Sequence, residues 1–335
     1  MDPDSIADVS RVPHGGSDDA SRVDFSANTN PVRPEGVAAV YEAALADATR
    51  YADDFAAFRA AAAAYVDCDP GAVIPTAGGL AALRLAFGVT VAPGDRVLVP
   101  EPGFGEYARE IRLQGGEPVG VAHDELLDCD PAECDAAVVC TPNNPTGELA
   151  DRDALRRFLS ECRASDVPLV ADEAFLDFTD APSLAGEAGA IVARSLTKMF
   201  GLPGIRAGFA VATGDLGERL RTARPAWALS TPASAVGAHC LRQAEFVERT
   251  RERVASERER MRGALADSFD VAPSDAPFLL LDVGEESVDA VLERARAGGV
   301  VVRDARTFAR LDSHVRVAVR RPHENDLLLD ALLER

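Results

Sequence analysis

Ser195-Leu196-Thr197-Lys198-Met199-Phe200-Gly201-Leu202-Pro203-Gly204-Ile205-Arg206-Ala207-Gly208 carries the single lysine of a 335-residue chain. Against it stand 34 arginines, so position 198 asks for something a guanidinium cannot do. An amine can lose its proton and condense with an aldehyde, whereas arginine stays charged at any accessible pH. The apolar run Ala190-Ile191-Val192-Ala193 reads as a buried strand that delivers the chain to Ser195 and Lys198. Gly201, Pro203, Gly204 and Gly208 then impose a loop before another strand, Phe209-Ala210-Val211. A lysine at a strand-to-loop edge, beside small hydroxyls, stands where an active-site amine is expected.

Outward from that stretch, the composition narrows the classes of function. The length permits two domains, and 47% hydrophobic residues supply a substantial core. A net charge of −20 argues against nucleic acid or an anionic membrane as partner. Fifty-five acidic residues with one lysine point to adaptation to concentrated salt, a halophilic trait. Such a protein can take an anionic substrate only by building a local positive pocket from arginines. No apolar run reaches the ~18 residues of a membrane span, and Met1-Asp2-Pro3-Asp4 lacks the features of a signal peptide, so a cytoplasmic location is expected. The six cysteines have no Cys-x-x-Cys spacing and no nearby histidine pair; they read as reduced thiols, and no metal site is expected.

Several further motifs stand at predicted strand ends. Val73-Ile74-Pro75-Thr76 leads into Ala77-Gly78-Gly79 and a helix beginning at Leu80, where small residues let backbone N–H groups approach a phosphate. Arg96 to Pro100 is followed by Glu101-Pro102-Gly103-Phe104-Gly105-Glu106-Tyr107. The continuous apolar strand Ala136 to Cys140 suits a parallel sheet covered on both faces, and it ends in Thr141-Pro142-Asn143-Asn144-Pro145-Thr146-Gly147. Asp151 then caps a helix running to about Arg163. Pro168 to Ala171 ends in Asp172-Glu173-Ala174-Phe175.

Together these segments resemble the fold-type I enzymes that use pyridoxal phosphate, in the class I/II aminotransferase branch. The resemblance implies an α/β fold, with a large domain on a mainly parallel sheet and a smaller α+β C-terminal domain. The expected division is an arm over 1–33, a large domain over 34–232 and a small domain over 233–335, with a long charged helix from about Ser234 to Asp267 between the last two. By the same resemblance Lys198 is the cofactor lysine and Asp172 pairs with the pyridine nitrogen. Asn144 reaches the phenolic oxygen, and Phe104 stacks on the ring. Gly78, Gly79, Leu80, Ser195 and Arg206 hold the cofactor phosphate, assisted by Tyr51 from the second subunit of a homodimer.

Three features are similar to the threonine-phosphate decarboxylases of cobalamin synthesis: His14-Gly15-Gly16 before Asp24-Phe25-Ser26-Ala27-Asn28-Thr29-Asn30-Pro31, Phe175 where aminotransferase relatives have tyrosine, and the strand Val315-Arg316-Val317-Ala318-Val319-Arg320. A phosphorylated amino acid is then the expected substrate, with His14, Gly15, Asn28, Arg316 and Arg320 as candidates to bind it and Arg303 as a secondary one. The alternation in Val315-Arg316-Val317-Ala318-Val319-Arg320 puts Arg316 and Arg320 on one face of a strand. Histidinol-phosphate aminotransferases are the alternative resemblance. A pyridoxal-binding regulator is the least favoured, because lysine, aspartate and asparagine are all retained.

Overall fold

The computed structural model describes residues 1–333. Among the described residues thirteen strands form three sheets: β1 (Val23–Asp24), β2 (Val73–Thr76), β3 (Arg96–Glu101), β4 (Glu117–Ala122), β5 (Ala136–Cys140), β6 (Leu169–Asp172), β7 (Ala190–Ser195), β8 (Gly208–Val211), β9 (Asp270–Val271), β10 (Phe278–Asp282), β11 (Val300–Val301), β12 (Arg303–Asp304) and β13 (His314–Ala318). The seven-stranded sheet runs β2-β8-β7-β6-β5-β3-β4. Its strands from β4 to β7 pair in parallel, and β8 runs antiparallel to both β7 and β2. Strands β2, β5, β6, β7 and β8 are buried throughout, which is why their sequences read as unbroken apolar runs rather than alternating ones.

Register fixes the chemistry. Cys140, Asp172 and Ala193 lie side by side across β5, β6 and β7, and Thr76, Gly208 and Ser195 across β2, β8 and β7. Every loop that follows a parallel strand therefore leaves one edge of the sheet, the edge where open α/β sheets bind ligands. Gly208 permits this closeness, since a Cβ there would stand 2.6 Å from the Gly78 carbonyl carbon and 2.7 Å from the Arg194 oxygen.

The second sheet, β12-β13-β10-β9, is antiparallel, and its strands β9 and β10 meet the helix Ala244–Leu265, which also meets Pro322–Leu333. Residues 334 and 335 of the expected C-terminal unit lie outside the described residues. The single long helix expected from Ser234 to Asp267 is instead two, Thr231–Cys240 and Ala244–Leu265. Between them the Arg242 and Gln243 N–H groups bond back only three residues, to His239 and Cys240, which tightens the turn and ends the first helix. A charge pattern carries no signal of such a break.

The arm expected over 1–33 contains a short paired strand. Val23 and Asp24 pair in parallel with Val300 and Val301, and Phe25 donates to the Val301 oxygen. A two-residue strand is too short to show any period, so only its partner reveals it.

Beneath the site edge, Arg194 at the end of β7 is buried between Glu173, bonded at 2.8 Å, and Asp177. Ser183 Oγ and the Leu184 N–H also donate to Glu173. Removing one member of such a cluster leaves unpaired buried charge. Arg194→Met should thus cost about 3–5 kcal/mol in urea unfolding, whereas Arg249→Met at an exposed helical pair should cost under ~0.5 kcal/mol.

Candidate active site

Lys198 lies on the short helix Leu196–Met199, directly after β7, and its Nζ stands 5.5 Å from the centre of the Phe175 ring. Burial pushes its ammonium down to about 8; Arg316 and Arg206 act the same way and Asp172 opposes them. The loop holding it is tied to the N-terminal arm: Asn30 N–H donates to the Lys198 oxygen at 3.1 Å, and Asn30 Nδ2 to the Met199 oxygen at 2.7 Å. Asn30, part of the Asn-x-Asn-Pro motif, is therefore an anchor for the lysine rather than a wall of the cavity.

Asp172, at the end of β6, is buried and accepts from Tyr107 Oη at 2.6 Å and the Ala174 N–H at 3.0 Å. Burial raises its pKa, while both hydrogen bonds and Lys198 oppose the rise. A cation beside it would remove that conflict. Tyr107 was not among the expected site residues; its place three positions after Phe104 at a helix start was the available signal.

A cradle of small groups completes the edge. Cβ atoms at Gly78 and Gly79 would come within 2.6 Å of Arg206 Nη2 and 2.9 Å of Ser195 Cβ. Gly78 precedes the helix Gly79–Thr90, whose first N–H groups, Leu80 among them, have no acceptor inside the helix. Ser195 Oγ lies 2.8 Å from Thr197 Oγ1. Arg206 adopts φ 58° and donates to the Ala77 oxygen at 3.1 Å, which aims the guanidinium across this cradle. An amine of lowered proton affinity, a buried carboxylate wanting a cation, and a glycine cradle with serine and arginine fit a pyridine aldehyde bearing a phosphate.

Next to Lys198 is a cavity of about 210 Å³ bounded by His14, Gly15, Asn28, Phe104, Asn144, Phe175, Arg303 and Arg316 together with Thr307 and Phe308, and no carboxylate lines it. Asn28 Oδ1 and the Nε atoms of Arg303 and Arg316 are buried and lack a partner among the described residues. Arg316 donates to Asn144 Oδ1 at 2.5 Å and the Ser26 oxygen at 3.0 Å, leaving the Asn144 amide as a donor. Burial, then the nearby Arg303, lowers Arg316 to about 9. Arg303 is likewise lowered, chiefly by burial, and donates to the Pro13 oxygen at 2.7 Å.

Arg320, paired with Arg316 by the strand alternation, is not among the cavity residues. The strand ends at Ala318, and Arg320 turns to the Asp24 oxygen at 3.0 Å and Glu324 at 2.9 Å. Arg303, across β12–β13 from Arg316, takes its place. Tyr51 lies apart from the cluster, 85% exposed and packed on the exposed Trp227 at 4.6 Å between ring centres. Among the described residues no group of histidine, cysteine or acidic side chains could hold a metal, and no helix is long and apolar enough to cross a membrane.

Comparison with known proteins agrees with this geometry. Residues 22–332 match the family model described as aminotransferase class I and II. A threonine-phosphate decarboxylase of Salmonella typhimurium is 30% identical, covering 92% of this chain and 90% of that protein. Histidinol-phosphate aminotransferase 1 of Archaeoglobus fulgidus is also 30% identical, over 93% and 98%. The crystal structure of histidinol-phosphate aminotransferase from Sinorhizobium meliloti in complex with pyridoxal-5'-phosphate has the same fold, with a TM-score of 0.85 and 22% identity over 93% of this chain and 90% of that one.

Neutral amine accumulates as pH rises through the depressed value of Lys198. Borohydride trapping of pyridoxal phosphate on apoprotein should therefore label Lys198 with a midpoint near pH 8. Arg316→Gln should move that midpoint up, and Asp172→Asn should move it down, as read by peptide mass spectrometry across pH 6–10 on the causes just given.

Proposed function

Because the chain belongs to the aminotransferase class I and II family, we propose that it decarboxylates L-threonine O-3-phosphate to (R)-1-amino-2-propanol O-2-phosphate, the step that supplies the side arm of cobalamin. The cofactor is pyridoxal 5'-phosphate. Bound, it supplies an aldehyde that takes up an amino group and a protonated ring that draws electrons from Cα.

The chain's residues have separate tasks in this reading. Lys198 offers the amine and afterwards holds or returns a proton at its Nζ. Asp172, oriented by Tyr107, keeps the ring nitrogen protonated, and the Asn144 amide donates to the phenolic oxygen. Gly78, Gly79, Leu80, Ser195 and Arg206 hold the cofactor phosphate, and Phe104 covers one ring face. Tyr51, exposed in one chain and stacked on Trp227, reaches the phosphate of a second copy, which makes the enzyme a homodimer. The N-terminal arm, the large domain and the small domain then close on one site.

One observation carries the substrate assignment. In a chain of net charge −20, the cavity beside Lys198 holds Arg303, Arg316 and His14 and no carboxylate. Two buried guanidinium groups that each lack a partner at Nε ask for more than one negative group, as an amino acid with a phosphate supplies. Phe175 favours decarboxylation over amino-group exchange: buried against Phe278 at 5.1 Å, it offers no hydroxyl to the ring oxygen or to Lys198. The second reading, histidinol-phosphate aminotransferase, is supported by relatives of equal identity.

Pure holoenzyme given L-threonine O-3-phosphate should release CO2 without 2-oxoglutarate; glutamate-linked exchange with histidinol phosphate and no gas would reverse the assignment. Asp172→Asn should lower kcat by about 100-fold or more with cofactor still bound, the scale of losing one preorganised charge. Tyr51→Ala should weaken cofactor retention, read as absorbance lost on dialysis, and wild-type protein should run as a dimer in light scattering.

A further inference from the structure

We propose that Glu106 is a positioning residue: it holds the His14 imidazole at the cavity and thereby sets how strongly the site prefers a phosphorylated amino acid to its unphosphorylated counterpart. The inference rests on the reading of this cavity as one for a phosphorylated amino acid.

A carboxylate close to an anion site is ordinarily a liability, because like charge repels the ligand. Glu106 is nevertheless 4% exposed, beside the cavity residue Gly105 and at the start of the helix Glu106–Leu113. Both its oxygens are engaged: His14 Nε2 donates to Oε1 at 2.9 Å, and Arg109 Nη1 to Oε2 at 3.1 Å. A carboxylate only accepts, so Nε2 carries the proton and Nδ1 is the nitrogen left free of Glu106.

Behind this pair runs an alternating chain of charge. Arg109 Nη1 also donates to the fully buried Glu110 at 2.9 Å, and Glu110 takes two bonds from Arg84 at 2.9 and 2.6 Å. The negative charge of Glu106 is thus held by Arg109 on one side and covered by His14 on the other.

His14 itself has little else to fix it. Residues 9–19 form no helix or strand, and the imidazole is half exposed. The Phe104 ring packs on it at 5.8 Å with a tilt of 43°, Arg109 Nε donates to the Ser10 oxygen at 3.2 Å, and Val12 fills the space beside Gly105. All three contacts come from the segment that carries Glu106. Without its carboxylate the ring keeps these neighbours and loses its hydrogen bond to Glu106, and with it a fixed orientation in the cavity.

Steady-state kinetics with L-threonine O-3-phosphate and with L-threonine, on wild type, Glu106→Gln, Glu106→Ala, His14→Ala and the His14→Ala/Glu106→Ala double variant, decide the matter. Glu106→Ala should raise KM for the phosphorylated substrate about tenfold with kcat within about twofold, and Glu106→Gln, which retains an acceptor, about threefold. The double variant should be no weaker than His14→Ala alone. Independent, multiplying losses, or an equal loss of kcat on both substrates, would overturn the proposal. Nitrogen-15 spectra of the histidine rings give a readout separate from activity. The Nε2–H proton of His14, held against Glu106 in wild type, should exchange with solvent faster in Glu106→Ala, and an unchanged exchange rate would overturn the role. If wild type shows no preference for the phosphorylated substrate, the substrate assignment falls, while the spectra still decide whether Glu106 holds His14.

Discussion

Two groups that each resist burial share one sheet edge, and the rest of the site follows from that conflict. Lys198 is buried enough to lose much of its hold on its proton, and Asp172 enough to gain one. Neither shift is removed by the other alone, since Arg316 and Arg206 oppose the ammonium while Tyr107 and Ala174 support the carboxylate. An amine held near neutrality is a nucleophile; a carboxylate wanting a cation holds a protonated pyridine. The register of β6 and β7 keeps the two at one edge, and the Arg194–Glu173–Asp177 cluster ties the end of β7 to the segment after β6.

The N-terminal arm turns this edge into a cavity. Its backbone oxygens at Pro13 and Ser26 accept from Arg303 and Arg316, and Arg253 donates to Asn30 Oδ1 at 2.7 Å. Arginines from the antiparallel sheet and its neighbouring helix thus bind the arm, which in turn binds the lysine loop. Because those arginines spend their N–H groups on carbonyls rather than on carboxylates, they keep their positive charge for a ligand. In so acidic a chain that arrangement is a condition for taking an anion at all.

Much of the architecture could be read from residues alone. Unbroken apolar runs marked β5, β6, β7 and β8, and the small-residue turns after them marked the site edge. Asp151 capping Arg152–Ala164 gave one helix start to the residue. The break between Thr231–Cys240 and Ala244–Leu265, the pairing of Val23–Asp24 and the turning away of Arg320 were not legible. The strand pairing and the turn of Arg320 depend on partners distant in sequence, Val300 and the Asp24 carbonyl, whereas the helix break is a local turn that the charge pattern does not mark.

By itself the sequence determined the kind of chemistry, because one lysine among 34 arginines, with aspartate and asparagine at apolar strand ends, names the reactive groups without reference to space. Only the tertiary structure decided which cations line the cavity, with Arg303 there and Arg320 not, and which carboxylate stands behind His14. The physical reason is range: strand periodicity and capping act over a few residues, whereas charge placement in a cavity is set by chain segments that meet only when the sheet edge, the arm and the C-terminal strands pack together.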